Sequence, residues 1–262
     1  KPFDEQEAAE RSVPTGWTLN LLADGQKYFD HTGHLGRSEF AQEGVDGYDT
    51  PKLPSLNGYI IIAMDLDESG RFGYSGDIRS LEEVNGVWSM RIAGNNEPGP
   101  IVLSGSFLDA VPENLHIAVV DIPRRLIFDD FPETDLSINK NFKMGYDLKL
   151  VAGDENYVRE TAKKILADIP EEFSLSQNYP NPFNPLTHLD FALPLRSRVE
   201  ITIYNMLGQE VATLVNRELD YGHHSVSWHG TNRFGKPAAS GVYLAKLQTP
   251  GVIKTRKMIL LK

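Results

Sequence analysis

The alternation of apolar and polar residues is clearest toward the carboxyl end. In HLDFAL (188–193) Leu189, Phe191 and Leu193 alternate with polar or small neighbours, and RVEITIYN (198–205) repeats the pattern with Val199, Ile201 and Ile203. Apolar residues at every second position put one face of an extended chain against a core and the other in water. Both stretches therefore predict half-buried strands. EVATLV (210–215), HSVSWHG (224–230), GVYLAKLQT (241–249) and VIKTRKMILLK (252–262) predict four more, and FSLS (173–176) a short seventh. The stretches NMLGQ, LDYGHH, GTNRFGKPAASG and TPG separate them with turn-forming residues. About seven short strands in roughly 90 residues is the pattern of an immunoglobulin-like sandwich.

Upstream, GWTLNLLA (16–23), GYIIIAMDL (58–66), VWSMRIAG (87–94), PIVLSGSFL (100–108), LHIAVVDI (115–122), RRLIFDD (124–130) and MGYDLKLVAG (144–153) are β-leaning runs bounded by Gly, Pro, Asn and Asp. They predict a second sandwich, with YDTPKLPSLNGY (48–59) as a Pro-rich loop and EQEAAER (5–11) as a helical turn or frayed arm. The expected organisation is all-β: a sandwich over 1–152, a polar linker over 153–172, and the Ig-like sandwich over 173–262. Within the linker Asp154 is placed to cap a short helix ending at Pro170. Trp17, Trp88 and Trp228 are the expected core anchors.

Composition bounds the function classes. With 262 residues, 40% hydrophobic and 24% charged, the chain can bury a real core. A net charge of −10 argues against nucleic acid, whose phosphates select clustered Lys and Arg. That charge is uneven: residues 171–262 carry 10 basic and 7 acidic side chains, and residues 1–170 carry 16 and 29, or about +3 and −13. Separate domains would show such a split. No run of 18 apolar residues is present, so no transmembrane helix is expected. A chain beginning with Lys suggests a processed protein or part of a longer one. Zero cysteines exclude disulfides, thiolate metal sites and Cys nucleophiles.

Candidate chemistry is sparse. There is no G-x-S-x-G elbow, P-loop, G-x-G-x-x-G or H-E-x-x-H, and no enzyme is expected. DLDESG (65–70) resembles the start of a calcium loop, making Asp65, Asp67 and, further along, Asp77 candidate ligands. The EF-hand pattern needs Glu at the twelfth position, where Gly76 stands, and an exposed turn explains the same letters. DHTGHLGRSEFAQEGVDGYD (30–49) holds His31, His34, Glu39, Glu43, Asp46 and Asp49, but its glycines offer no helix to align the two histidines and it is expected as a polar loop. Adjacent His223 and His224 point to opposite faces of a strand and are expected to be structural.

NYPNPFNP (178–185) is neither helix nor strand interior, because proline lacks the N–H both require. It is expected to be extended and to pack Tyr179 and Phe183 on the domain, while its asparagines satisfy nearby backbone groups.

Together with IYNMLGQ, the VSWHG turn, ASGVY and the terminal KMILLK, this segment closely resembles the type A C-terminal sorting domain of the type IX secretion system over about residues 171–262. His229 departs from the Asp usual in that family. The resemblance implies an Ig-like export address: transit through the periplasm after signal-peptide cleavage, recognition by an outer-membrane translocon, and delivery to the surface or medium. Surface lipopolysaccharide is the other partner the resemblance implies, and further copies of the chain are the partners on the alternative reading of a filament. It carries the sorting motif onto Asn178, Tyr179, Pro180, Asn181, Pro182, Phe183, Asn184, Pro185, Asn205, Gly208, Gln209, Gly230, Gly241, Lys254, Arg256, Lys257 and Lys262. For each residue singly the alternative is structural, as turn glycines or edge-strand charges. GWTLNLLA, DGYDTPKLPS, YSGDIRS and YDLKLVAG resemble the sandwich that often precedes this domain in secreted proteins. The expected function is that of a non-catalytic secreted or surface protein. The alternatives are a subunit of an extracellular filament or sheath joined at sandwich edges, and the accessory tail of a larger hydrolase or a carbohydrate-binding module using exposed aromatics such as Tyr48, Tyr59 and Tyr74.

Overall fold

The fold is known from a computed structural model that describes residues 16–38, 41, 59–64, 74–81, 85–95, 99–108, 111–138 and 145–261. Two units emerge, Lys1–Leu166 and Ala167–Lys262. Strands dominate both, and the fold is all-β with one helix among the described residues.

The first unit contains β1 (Gly16–Asp24), β2 (Phe29–Ser38), β3 (Tyr59–Met64), β4 (Gly76–Ser80), β5 (Gly86–Asn95), β6 (Ile101–Phe107), β7 (His116–Asp121), β8 (Leu126–Phe128), β9 (Leu136–Ile138) and β10 (Tyr146–Gly153). They form two five-stranded sheets, ordered β4-β2-β1-β6-β9 and β3-β5-β10-β7-β8, antiparallel except for β2 with β4. Period-2 burial explains the packing: Trp17, Leu19, Leu21 and Ala23 from β1 meet Ile60, Ile62 and Met64 from β3 and Trp88, Met90 and Ile92 from β5 in one shared core. Trp17 and Trp88 meet edge to face at 5.6 Å, and the Trp88 indole N–H donates to the Asp77 carbonyl.

The stretch expected as a polar loop over 30–49 is in part a ten-residue strand, β2, paired to β1 along its length. Its glycines are what make it fit. A Cβ on Gly33 would crowd Ile62 and Leu21 at 3.1 Å, and one on Gly36 would collide with the Trp17 carbonyl oxygen, which the backbone there does not allow. Asp30 in β2 is buried and performs a second task. Its Oδ2 accepts the Ile62 N–H at 2.7 Å, closing a backbone donor on β3, which is an edge of the facing sheet. Its Oδ1 takes the Thr32 hydroxyl and N–H.

Another buried carboxylate, Asp121, accepts the Tyr146 hydroxyl and the Arg124 guanidinium at 2.6 Å. Burial, with the charge of Asp121, pushes the Tyr146 phenol well above its ordinary value. After β10 the helix α1 (Glu155–Asp168) begins at Asp154, whose Oδ1 accepts the Tyr157 N–H at 2.9 Å in an N-cap. Val158 and Ala162, one turn apart, are its buried face.

In the second unit, β11 (Ser174–Leu175), β12 (Thr187–Leu193), β13 (Ser197–Asn205), β14 (Glu210–Leu219), β15 (Gly222–Trp228), β16 (Gly241–Thr249) and β17 (Val252–Leu260) form sheets ordered β11-β12-β15 and β14-β13-β16-β17. The fourth strand pairs with the third, giving three strands against four. Leu189, Phe191 and Leu193 face Val199, Ile201 and Ile203 across the core, closed by Trp228 and Tyr243. All three tryptophans are buried.

Replacing the Asp30 carboxylate leaves the Ile62 N–H unpaired in the core. Asp30→Ala should lower unfolding free energy by about 1–3 kcal/mol, read as a lower urea midpoint with an unchanged slope.

Candidate functional site

Strand register fixes which segments share an end of the second sandwich. Thr187 pairs with Trp228, Asn205 with Tyr243, and Gly241 with Leu260. The start of β12, the ends of β13, β15 and β17 and the starts of β14 and β16 therefore lie at one pole. The segments that join them there are 176–186, 206–209 and 229–240, with Leu261 beside them. Motif stretches separated by up to about 80 residues of sequence thus converge.

The NYPNPFNP segment is bound at this pole as a clamp. Its backbone bridges Tyr179 to His188 on one side and Phe183 to Leu260 on the other. Phe183 N–H donates to the Ile259 carbonyl and Leu261 N–H to the Phe183 carbonyl, both at 2.9 Å. Asn181 Oδ1 accepts the Ile259 N–H at 3.0 Å, and the Gln177 amide donates to the Lys257 carbonyl at 2.8 Å. Asn178 is buried, and its Nδ2 donates to the Pro180 carbonyl and the Thr187 hydroxyl, which itself donates to that carbonyl. The Tyr179–Pro180 and Asn181–Pro182 peptides are cis.

Phe183 is buried and packs on Trp228 at 5.5 Å. Tyr179, expected beside it, is instead 79% exposed. Extended backbone sends neighbours to opposite sides, so burying Asn178 turns Tyr179 outward.

Two turns at the pole have the same construction. In NMLGQ (205–209) Asn205 Oδ1 accepts the N–H groups of Leu207 and Gln209, Asn205 N–H donates to the Gln209 carbonyl, and Gly208 N–H to the Asn205 carbonyl. In NRFGK (232–236) Asn232 makes the equivalent bonds to Phe234, Lys236 and Gly235. Gly208 at φ 74° and Gly235 at φ 75° occupy the left-handed region that glycine enters without penalty. The Gln209 amide oxygen accepts the Asn205 Nδ2 as well. The second turn lies in a stretch expected to be turn-forming, and N-x-x-G at equal spacing is the unread signal of its likeness to the first.

Gly230 lies where a Cβ would come within 3.1 Å of the Pro185 carbonyl oxygen, and its own carbonyl accepts the Ala238 N–H. Trp228 is held edge to face against Tyr243 at 5.1 Å and donates to the Thr231 carbonyl. The Tyr243 hydroxyl donates to the Ala239 carbonyl at 2.7 Å. This is the tyrosine corner of Ig-like sandwiches. Burial raises the Tyr243 phenol above its ordinary value. Gly241 opens β16 at the pole, and exposed Asn184 and Pro185 complete the clamp. Lys257 is near the pole end of β17, Arg256 pairs with Ala245 in mid-strand, and Lys254 lies toward the far end. Lys262 is outside the described residues.

Of the calcium candidates, Asp65 and Asp67 are outside the described residues. Asp77 is buried and committed to Arg79, whose Nη2 approaches at 2.8 Å while its guanidinium covers the Trp88 ring at 4.8 Å. His31 pairs with Asp24 at 2.7 Å, whereas His34 Nδ1 meets the Thr32 carbonyl, so the two histidines serve different partners. Glu39, Glu43, Asp46, Asp49 and Tyr48 are outside the described residues. No cluster of three metal-ligating side chains occurs among those described. Tyr59 is half-buried and Tyr74 packs on the core, so neither is the exposed sugar platform expected of it. His224 stacks on Phe191 and reaches the Asp220 carbonyl, while His223 faces outward.

A family model described as the FlgD Ig-like domain matches residues 188–250. The second unit carries an Ig-like β domain. No curated protein matches the chain. Among solved structures it is similar to PorZ, described as an essential bacterial surface component of the type-IX secretion system of Porphyromonas gingivalis, at 18% identity over 43% of this chain and 14% of that one, with a TM-score of 0.25. It is similar to dimeric latent PorU of the same organism at 11% identity over 95% of this chain and 30% of that one, with a TM-score of 0.30. It is also similar to the Pseudomonas fluorescens alkylpurine DNA glycosylase AlkC, at 15% identity over 38% of this chain and 34% of that one, with a TM-score of 0.25. The chain thus spans about a third or less of the length of each.

The tyrosine corner has a pH signature. Tyr243→Phe should be about 1 kcal/mol less stable at pH 7 for want of one hydrogen bond. The folded state holds this phenol neutral, so the unfolded chain ionises first and the wild-type advantage, complete below about pH 10, is lost above it. Denaturation of both proteins across pH 7–11 measures the narrowing gap.

Proposed function

We propose that this chain is a non-catalytic secreted or surface-exposed protein whose second unit is its address for the type IX secretion system. The observation that supports this reading is the convergence of the sorting-motif segments at one pole of an Ig-like sandwich. NYPNPFNP, NMLGQ and the loop between Trp228 and Gly241 are far apart in sequence, yet strand register brings them together.

A surface assembled this way exists only in the folded domain. A translocon that reads it distinguishes folded cargo ready for export from unfolded chain carrying the same letters. The first unit then travels as cargo, and the address follows it in the chain. On this reading the chain passes through the periplasm and ends at the surface or in the medium, and its partner in transit is an outer-membrane translocon.

Deleting residues 171–262 removes the address and leaves the first unit intact. In a host that possesses this secretion system, the truncated chain should accumulate in the periplasm while the full chain reaches the surface, scored by protease accessibility of intact cells. Surface delivery of the truncated chain at the full-length level would contradict the proposal.

A further inference from the structure

The twin asparagine turns present what tight turns ordinarily hide. Leu207 and Phe234 occupy the same position in their turns, two residues after the asparagine, and are 83% and 71% exposed. Met206 beside Leu207 is 65% exposed. Turn tips favour Gly, Asn, Asp and Ser because they face water. Here two turns, each fixed by three backbone N–H groups that donate to one asparagine's Oδ1 and carbonyl, hold large apolar side chains outward at one pole. Exposed Tyr179 stands at the same pole, with a ring that is apolar and a hydroxyl that is not.

Around these tips basic side chains outnumber acidic ones, with Arg233, Lys236 and Lys257 against Glu210. Residues 221–262 contain seven Lys and Arg and no Asp or Glu. Two of the seven, Arg233 and Lys236, flank Phe234 in its turn, and the Arg233 guanidinium lies 4.9 Å from the Phe234 ring centre. Lys257 lies near the pole end of β17. The carboxylate at this end is Glu210, first residue of β14, which accepts the Thr213 hydroxyl along its own strand. A groove there is lined by residues of both turns, Asn205, Gln209, Arg233 and Phe234, and by Glu210.

Charge complementarity calls for an anionic occupant, and the shape selects its kind. A protein partner must match separated convex tips with preformed pockets. A lipid interface deforms around them, taking apolar tips into the acyl boundary and leaving cations among headgroup phosphates. We propose that this pole docks on an anionic phospholipid surface, with Leu207 and Phe234 inserted and Arg233 and Lys236 against phosphate. Juxtaposed basic and interfacial apolar groups act additively in such binding, and the basic part is screened by salt. The proposal does not depend on the export reading, because the docking needs no secretion machinery.

Vesicle sedimentation with the full chain tests it, using phosphatidylglycerol with phosphatidylcholine in equal parts against phosphatidylcholine alone. The full chain should sediment with the anionic vesicles and far less with the neutral ones. Leu207→Ser with Phe234→Ser should weaken binding by about tenfold or more, as expected from two buried apolar side chains. Arg233→Gln with Lys236→Gln should weaken it and reduce its salt dependence. These residues sit at exposed tips, and unchanged unfolding midpoints would show that the variants fold. Absence of binding to anionic vesicles, or equal binding by the wild type and the Leu207 and Phe234 variant, would overturn the proposal. Blocked export in that variant, with the wild type itself failing to bind anionic vesicles, would overturn it too, assigning the tips to a protein partner.

Discussion

An edge strand exposes a row of N–H and C=O groups that will pair with whatever strand arrives, and a sandwich has four such edges. The second unit depends on how one of these is closed. β17 ends its sheet, and its outer side is met at the pole by NYPNPFNP. That segment contributes one backbone bridge at Phe183 and the side-chain amide of Asn181, and Gln177 just before it adds a second amide. Prolines suit this task because they remove donors from a segment that would otherwise expose its own edge. The solution has a counterpart in the first unit, where the Asp30 carboxylate occupies an outward N–H of the edge strand β3. In both places a side chain replaces a neighbouring strand.

The clamp also organises the pole. Phe183 enters the core against Trp228, Trp228 packs on Tyr243, and Tyr243 ties β16 back to the loop before it. Gly230 gives Pro185 room. Motif residues that sequence spacing scatters are therefore one contiguous structural system, which is why their joint occurrence carries more meaning than any member alone.

Much of the fold was legible because alternating and β-leaning runs are written in the letters: all seven strands of the Ig-like unit, and seven of the ten described in the first unit, overlap runs read as strands. β2 was not legible, since its pattern is set by Gly33 and Asp30 meeting core groups of another strand, a tertiary constraint that local composition resembles only as a loop. The short β4 and β9 are strands because a neighbour pairs with them. At the site, the importance of NYPNPFNP was plain, and the roles of Phe183 and Asn178 follow from it. Tyr179 was misplaced because alternation is defined only once the inward residue is known. Asp77 reads as a ligand in sequence and is a partner of Arg79 in space. The likeness of the Asn232 turn to the Asn205 turn and the bond of the Tyr243 hydroxyl were overlooked, the first for want of comparing N-x-x-G spacings and the second because its acceptor is a backbone carbonyl.

The central claim is that a proline-rich segment, not a strand, closes the pole end of β17. Backbone direction alternates along that strand, so Ile253, Thr255, Ile259 and Leu261 turn their N–H groups to the same outer side, and only the last two are within reach of the clamp. Residue-resolved hydrogen exchange measures the difference directly. The account predicts protected amides at Ile259 and Leu261 beside fast exchange at Ile253 and Thr255, with protection at Ile259 lost in Asn181→Ala. Equal exchange at all four positions would contradict it.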